Sequence, residues 1–197
     1  MKSSIKSPQV IAVCGQMRSG KDTIAEHLCQ YYEYKNVKIA ENLKKSIGVM
    51  FNFTPEQMEG NEKDQIDSCW GITPRCAMQF IGTEVMQYKI QEILPSYNRT
   101  FWISSLVRSI ENKIDQDSEQ RFVISDLRFV HEYNYLKNKF PNMFVIKVER
   151  QNDIQQSAHV HISEQEYKDI TENYKCINKG SLADLYQQID DIMCSFS

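Results

Sequence analysis

Nowhere in this chain do the roughly 18 consecutive apolar residues of a membrane-spanning helix run together. The first eight residues are polar, with two lysines and a proline, so no secretory signal is expected. An excess of one charge is also missing. Asp and Glu number 26 against 23 Lys and Arg, a formal charge of −3, which argues against sequence-unspecific binding to nucleic acid polymers and leaves anion recognition to local clusters. Six cysteines, at 14, 29, 69, 76, 176 and 194, include no Cys-x-x-Cys pair, so neither a disulfide framework nor a zinc site is predicted. Cys14 and Cys29 fall in apolar surroundings and read as small hydrophobes of a reduced, cytoplasmic protein. His159 and His161 flank Val160 without a third ligand nearby and read as surface residues rather than a metal site. Internal repeats and low-complexity tracts are absent too. What remains, at 197 residues, is the length of one domain with a substantial core, here expected to carry a mobile insertion.

Short apolar runs at Val10–Cys14, Val37–Ala40, Phe122–Ser125, Phe144–Val148 and Tyr174–Ile177 alternate with segments of helical period. That layout predicts parallel strands with helical crossovers in a three-layer α/β domain. The clearest helix is the last, with Ser181 as N-cap and Leu182, Leu185, Ile189, Ile192, Met193 and Phe196 on one face. Ile103, Leu106, Val107, Ile110 and Ile114 form a second stripe, read as core packing. Phe53–Pro74 and Gln151–His161 lack periodicity and are the expected moving parts. Ser163-Glu164-Gln165-Glu166 reads as a capping box that restarts a helix.

The densest chemistry lies in Gly15-Gln16-Met17-Arg18-Ser19-Gly20-Lys21-Asp22-Thr23, between the first strand and a helical pattern carried by Ile24, Leu28 and Tyr31. Glycines let backbone N–H groups turn inward around phosphate oxygens, the helix N-terminus adds positive potential, and Lys21 can reach the outer phosphates. The phosphate-loop pattern has Ser or Thr directly after the lysine as a Mg²⁺ ligand. Here Asp22 stands there and Thr23 follows.

Three further places fit a second substrate. Thr73 and Pro74 can start a helix, which would set Arg75 near its N-terminus where a phosphate is favoured by guanidinium and dipole together, with Gln79 a turn later. Ser125-Asp126-Leu127-Arg128 closes the apolar run Phe122-Val123-Ile124, where ligands of open parallel sheets gather. There Asp126 could hold a metal-bound water or a substrate hydroxyl and Arg128 could clamp phosphate; alternatively Asp126 caps the helix beginning near Phe129. Arg150 ends the next strand, at the start of an aperiodic segment, where a cation could close over a transferring phosphoryl group.

Together these residues resemble the deoxynucleoside monophosphate kinases of phages and large DNA viruses, a branch of the P-loop kinases. The likeness runs along nearly the whole chain through GQMRSGKDT, ENLKKSIG, WGITPRCAMQFIGTE, SDLRFVHE, HISEQEY and INKGSLADL. The resemblance implies a parallel five-stranded sheet flanked by helices within a single domain, residues 1–197. It further implies a monophosphate-binding region at about 41–100, a lid at about 150–162, and transfer of phosphate from ATP to a dNMP to give ADP and dNDP. By the same resemblance Gly15, Arg18, Ser19, Gly20 and Lys21 hold the ATP phosphates, Asp22 and Thr23 lie near Mg²⁺, and Asn178 to Gly180 lie near the adenine. Lys44, Arg75 and Arg128 look like ligands of the acceptor phosphate. Gln79, Thr83, Glu84 and Trp102 would wall its base and sugar, Asp126 would face the acceptor, and Arg150 would be the lid cation. Lys21, Asp22, Arg128 and Arg150 would then act on the transferring group, in a cytoplasmic enzyme (host cytoplasm if viral). Similar proteins often carry Arg three residues after the Glu of Gly-Thr-Glu, where this chain has Gln87. Either another arginine serves or the acceptor sits differently.

Two other readings share the loop. One is a P-loop kinase for another phosphorylated acceptor, such as phosphomevalonate or dephospho-coenzyme A, against which Trp70–Glu84 argues. The other is a non-catalytic nucleotide-binding module, against which Arg75, Asp126, Arg128 and Arg150 argue. The sequence leaves base preference open, and does not decide between a monomer and a homodimer.

Overall fold

The structure, a computed structural model, describes residues 7–151 and 166–196. Its contacts divide the chain into two compact units, one running up to Lys38 and resuming at Val107, the other Ile39–Leu106.

The first unit holds a five-stranded sheet of β1 (Val10–Gly15), β2 (Tyr34–Val37), β3 (Arg121–Leu127), β4 (Phe144–Arg150) and β5 (Tyr174–Asn178). All its pairings are parallel and the order is β2-β3-β1-β4-β5. β1 is buried at every position because it lies at the centre with neighbours on both sides, as parallel strands covered on both faces must be. Side chains alternate between the faces. One face presents Ile11, Val13, Val123, Ile146, Val148 and Cys176 to a core built with Ile24, Ala25 and Leu28 of α1 (Lys21–Tyr32). Leu185, Ile189, Ile192 and Met193 of α7 (Leu182–Cys194) complete that core.

The second strand differs from the sequence expectation. Val37–Ala40 is not a strand: β2 ends at Val37, and Ala40 already caps the next helix. β2 is an edge strand with Lys35 and Asn36 exposed, so it carries little of the apolar signal by which a strand is recognised, whereas Ile39 is buried just beyond it. In α7, Ser181 is the N-cap, its hydroxyl accepting from the Asp184 amide at 3.4 Å. Leu182 is 59 % exposed, off the buried face where the sequence placed it. Phe196 lies past the helix end and meets Phe144 edge-on at 5.1 Å.

The second unit contains α2 (Glu41–Phe51), α3 (Pro55–Glu59) and α4 (Pro74–Gln79), which continues into a π-helix at Phe80–Tyr88. Ile47, Phe53, Met58 and Ala77 form its core, with Leu43, Phe51, Ile72, Met78 and Ile81 packed against them. The stretch Phe53–Pro74, aperiodic in sequence, is ordered by local chemistry. Thr54 accepts from the Gln57 amide at 3.2 Å while Gln57 Oε1 accepts from the Thr54 amide at 2.8 Å, and the buried Phe53 and Met58 anchor the stretch to that core. α5 (Phe101–Gln116) follows, with Ile103, Leu106, Val107 and Ile110 buried and Ile114 half-buried, as its stripe predicted. α6 (Val130–Lys139) lies between β3 and β4. Among the described residues no helix is long and apolar enough to cross a membrane. Expectations for residues 152–165, including His159, His161 and most of the lid and capping-box segments, fall outside the described residues.

Candidate functional site

The loop from Gly15 to Gly20 joins the carboxyl end of β1 to α1, and left-handed residues interrupt its backbone, the kind of alternation from which anion-binding amide nests are made. Gly15 (φ 146°) and Gly20 (φ 111°) occupy conformations that L side chains rarely adopt, and Arg18 is also left-handed at φ 63°. Space adds a second constraint. A Cβ on Gly15 would lie 2.4 Å from the Val148 carbonyl oxygen, and one on Gly20 would lie 2.8 Å from Asn178 Nδ2.

Ser19 is 1 % exposed and its hydroxyl has no hydrogen-bond partner. A buried hydroxyl without a partner costs on the order of 1–3 kcal/mol, so a concave loop that keeps one fits an anion supplied from outside. Lys21 is buried, its Nζ donating to the carbonyls of Gly15 at 2.9 Å and Gln16 at 2.5 Å. Its ammonium is thus held at the loop mouth by the strand end and can exchange a carbonyl for a phosphate oxygen by rotating a flexible stem. Asp22 accepts from Lys38 Nζ at 2.8 Å, and Thr23 is half-buried one position on. A carboxylate and a hydroxyl are oxygen donors of the type Mg²⁺ prefers. Among the described residues no group of three or more His, Cys, Asp or Glu side chains is arranged to hold a metal by itself. A Mg²⁺ here would therefore depend on phosphate and water for most of its ligands.

Two strand ends close on the loop. Asn178, at the end of β5, donates from Nδ2 to the Ser19 carbonyl at 2.8 Å, and its Oδ1 accepts from the Gly180 amide at 2.8 Å. Arg150, its register partner at the end of β4, points a guanidinium NH at the Arg18 carbonyl, 3.5 Å away. The family resemblance sets Asn178 near the adenine of ATP; in the structure its side chain meets the Ser19 carbonyl of the phosphate loop.

Asp126 and Arg128 lie at the carboxyl end of β3, where the register against β1 shifts: Ala12 faces Ile124 and Cys14 faces Leu127. The extra residue bends the strand at Ser125-Asp126, a device that re-aims side chains beside active sites. Asp126 does not cap the following helix. Glu132 does, its carboxylate accepting from the amides of Arg128 at 3.2 Å and Phe129 at 3.1 Å. Glu132 is 5 % exposed, and burial, reinforced by the Asp126 charge, pushes its carboxyl up to about 8. Cys14, in the middle of the sheet, is pushed up to about 12 by burial, which makes it an inert apolar side chain.

In the second unit Thr73 is the N-cap of α4, its hydroxyl accepting from the Cys76 amide at 3.1 Å, and Pro74 opens the helix, which places Arg75 in its first turn. Arg75 donates to both oxygens of Asp64, at 2.5 and 3.1 Å, and this partner holds the Asp64 carboxyl below its ordinary value. Lys44 reaches both oxygens of Glu59, at 2.8 and 2.7 Å. Both candidate acceptor cations thus already hold a bidentate, exposed oxyanion, the ligand geometry a phosphate also offers. Gln79 and Glu84 are exposed and Thr83 is half-buried. Trp102 donates from Nε1 to the Gly82 carbonyl at 3.1 Å. Gln87 is 5 % exposed and accepts from Arg99 Nε at 3.4 Å, while the Arg99 guanidinium lies 5.3 Å over the Tyr88 ring.

Glu132, Lys38, Glu59, Asp64 and Arg99 were not singled out from sequence. Of these, Glu132 alone carried a signal, a glutamate three residues into a predicted helix, which was obscured because Phe129 at the cap position has no side-chain acceptor.

The sequence pattern of the deoxynucleotide monophosphate kinase family matches residues 57–189. A "Putative deoxynucleotide monophosphate kinase" of Acanthamoeba polyphaga mimivirus is 27 % identical over 184 residues, covering 91 % of this chain and 93 % of that one. In fold, the chain is similar to an unliganded sugar kinase from Janibacter sp. HTCC2649. The TM-score is 0.52 with 11 % identity, over 97 % of this chain and 99 % of that one.

Proposed function

We propose that this chain, which belongs to the deoxynucleotide monophosphate kinase family, transfers the γ-phosphate of ATP to a deoxynucleoside monophosphate, giving ADP and a deoxynucleoside diphosphate. The observation that carries the proposal is the family match itself, since residues 57–189 span Arg75, Gln79, Thr83, Glu84, Trp102, Asp126, Arg128 and Arg150. The loop geometry supports the donor half. The Gly15–Gly20 concavity and the Ser19 hydroxyl take the β- and γ-phosphate oxygens, and Lys21 follows the γ-phosphate as it moves.

The acceptor phosphate is an anion near pH 7, so no strong general base is required. Catalysis falls to in-line positioning and neutralisation of spread charge. Lys44 and Arg75 are the acceptor-phosphate cations of the second unit, where the phosphate exchanges with Glu59 and Asp64, and Arg128 is the phosphate-binding cation at the end of β3 in the first. Gln79, Thr83, Glu84 and Trp102 bound the base and sugar. Arg99, held beside Gln87, brings a guanidinium to the segment where similar chains carry an arginine at position 87. Arg150 carries positive charge to the transferring group from the start of the lid, and Asp126 orients the acceptor side. Asp22 and Thr23 would hold Mg²⁺, which when bound supplies further charge neutralisation on the phosphates.

The test is incubation with Mg-ATP and each of dTMP, dGMP, dCMP, dAMP and their ribose counterparts, with ADP and nucleoside diphosphate quantified by chromatography. Stoichiometric ADP and deoxynucleoside diphosphate are expected from at least one deoxynucleotide. No diphosphate from any of the four would overturn the proposal.

A further inference from the structure

By resemblance Asn178 lies near the adenine of ATP, yet both polar atoms of its side chain are engaged by the protein. Its Nδ2 donates to the Ser19 carbonyl at 2.8 Å, and its Oδ1 accepts from the Gly180 amide at 2.8 Å. Its main-chain carbonyl accepts from the Gln151 amide at 3.0 Å, next to Arg150, its partner across the β4–β5 ladder. Contact with the loop is close enough that no side chain fits on Gly20, where a Cβ would meet Asn178 Nδ2 at 2.8 Å and Leu185 Cδ2 at 3.3 Å.

A trans peptide is planar, so a carbonyl and the amide that follows it point in opposite directions. Fixing the Ser19 carbonyl toward β5 therefore turns the Gly20 N–H the other way. Gly20 immediately precedes α1, so that N–H joins the free amides of the helix N-terminus. We infer that Asn178 is a positioning residue for phosphate binding. It clamps the Ser19–Gly20 peptide so that the Gly20 amide faces the polyphosphate, and it ties that peptide to the strand end from which the Arg150 segment departs. This inference rests on the Gly15–Thr23 loop being the ATP-phosphate site. It replaces a role in reading the base with a role in presenting the phosphate donors.

The two roles separate by ligand. A loop clamp affects every ligand with a polyphosphate tail, whereas a base contact affects only those with the base. Calorimetric titrations of wild type, Asn178→Ala and Asn178→Asp with ADP and with inorganic tripolyphosphate distinguish them. Asp keeps the size of the side chain and the acceptor for Gly180 N–H, loses the donor to Ser19 and adds a negative charge. Loss of one such hydrogen bond predicts about a 3- to 10-fold weakening of both ligands by the same factor, with more for the Asp variant, whose charge repels phosphate. In kinetics the ATP KM should rise while the dNMP KM stays, a split that general loosening of the fold would not produce. Weakened ADP binding with unchanged tripolyphosphate binding would overturn the inference in favour of a base contact. Unchanged affinity for both, with only the melting temperature lowered, would overturn it in favour of a purely structural role.

The wild-type protein gives a measurement that does not depend on either variant folding. On titration with tripolyphosphate the Gly20 backbone amide resonance should move among the most in the chain, and an unmoved Gly20 would sink the inference. A wild type that binds tripolyphosphate through Gly20 but phosphorylates no monophosphate would overturn the proposed acceptor while leaving the clamp standing.

Discussion

Glu132 should make the protein lose stability as pH rises through neutrality, unlike most carboxylates. Its side chain is buried at the start of α6, where it accepts from the Arg128 and Phe129 amides, and burial with the nearby Asp126 charge pushes its carboxyl from 4.5 to about 8. The folded state therefore holds a proton that the unfolded chain releases near 4.5. Its contribution is complete below that value, declines across the window from 4.5 to 8, and is gone above it. At about 1.36 kcal/mol per unit, moving from pH 6 to pH 8 removes about 2 kcal/mol. For a chain of this size that is about 4–8 °C in melting temperature. Glu132→Gln preserves an oxygen to accept from both amides and removes the titration. Urea unfolding of both proteins at pH 6, 7, 8 and 9 isolates the effect, because every other titrating group cancels in the difference. The variant should gain about 2 kcal/mol on wild type between pH 6 and 8. Parallel stability profiles would refute the protonated, buried carboxyl.

Three further substitutions probe other parts of the structure. Lys21→Ala should lower kcat by on the order of 10³ while circular dichroism and melting temperature stay near wild type, and an active variant would remove the loop from the chemistry. Arg75→Ala should raise the KM for the monophosphate about tenfold or more and leave the KM for ATP unchanged; steady-state kinetics showing only the ATP constant moving would reverse the division of sites. Ile189→Ala, at a fully buried position between α7 and the sheet, should cost about 2–5 kcal/mol in denaturant unfolding, and a cost under about 1 kcal/mol would mean that α7 does not close the core.

Four of the five strands stand where their apolar runs put them: β1, β3 and β4 because central strands covered on both faces are apolar at nearly every position, and β5, the other edge strand, because Tyr174, Cys176 and Ile177 still give it a short apolar run. β2 escaped because an edge strand of four residues with two exposed polar side chains satisfies its backbone from one neighbour and has little need of apolar residues. The phosphate loop was legible for a similar reason, since positive φ and close backbone approach leave glycine as the residue for Gly15 and Gly20. The Ser125-Asp126 bulge left no trace in sequence. It is a property of how β3 registers on β1, and residue types alone do not record register. The partners of Arg75 and Lys44 were likewise invisible, because Asp64 and Glu59 sit in a segment whose order comes from caps and a few buried side chains rather than from periodicity. The contact of Asn178 with the phosphate loop is not legible in sequence, since the β4–β5 pairing decides which loop its side chain reaches.

The most direct test of the proposed activity follows the phosphate itself. Wild-type protein and Lys21→Ala are incubated with ATP labelled at the γ-phosphate and the monophosphate that gives most ADP, and the position of the label is read after chromatography. The label should appear in the β-phosphate of the deoxynucleoside diphosphate, in equal amount to the ADP formed, and only with the wild-type protein. Label released as inorganic phosphate, or transferred equally well by Lys21→Ala, would contradict a phosphate loop that delivers ATP to a deoxynucleotide acceptor.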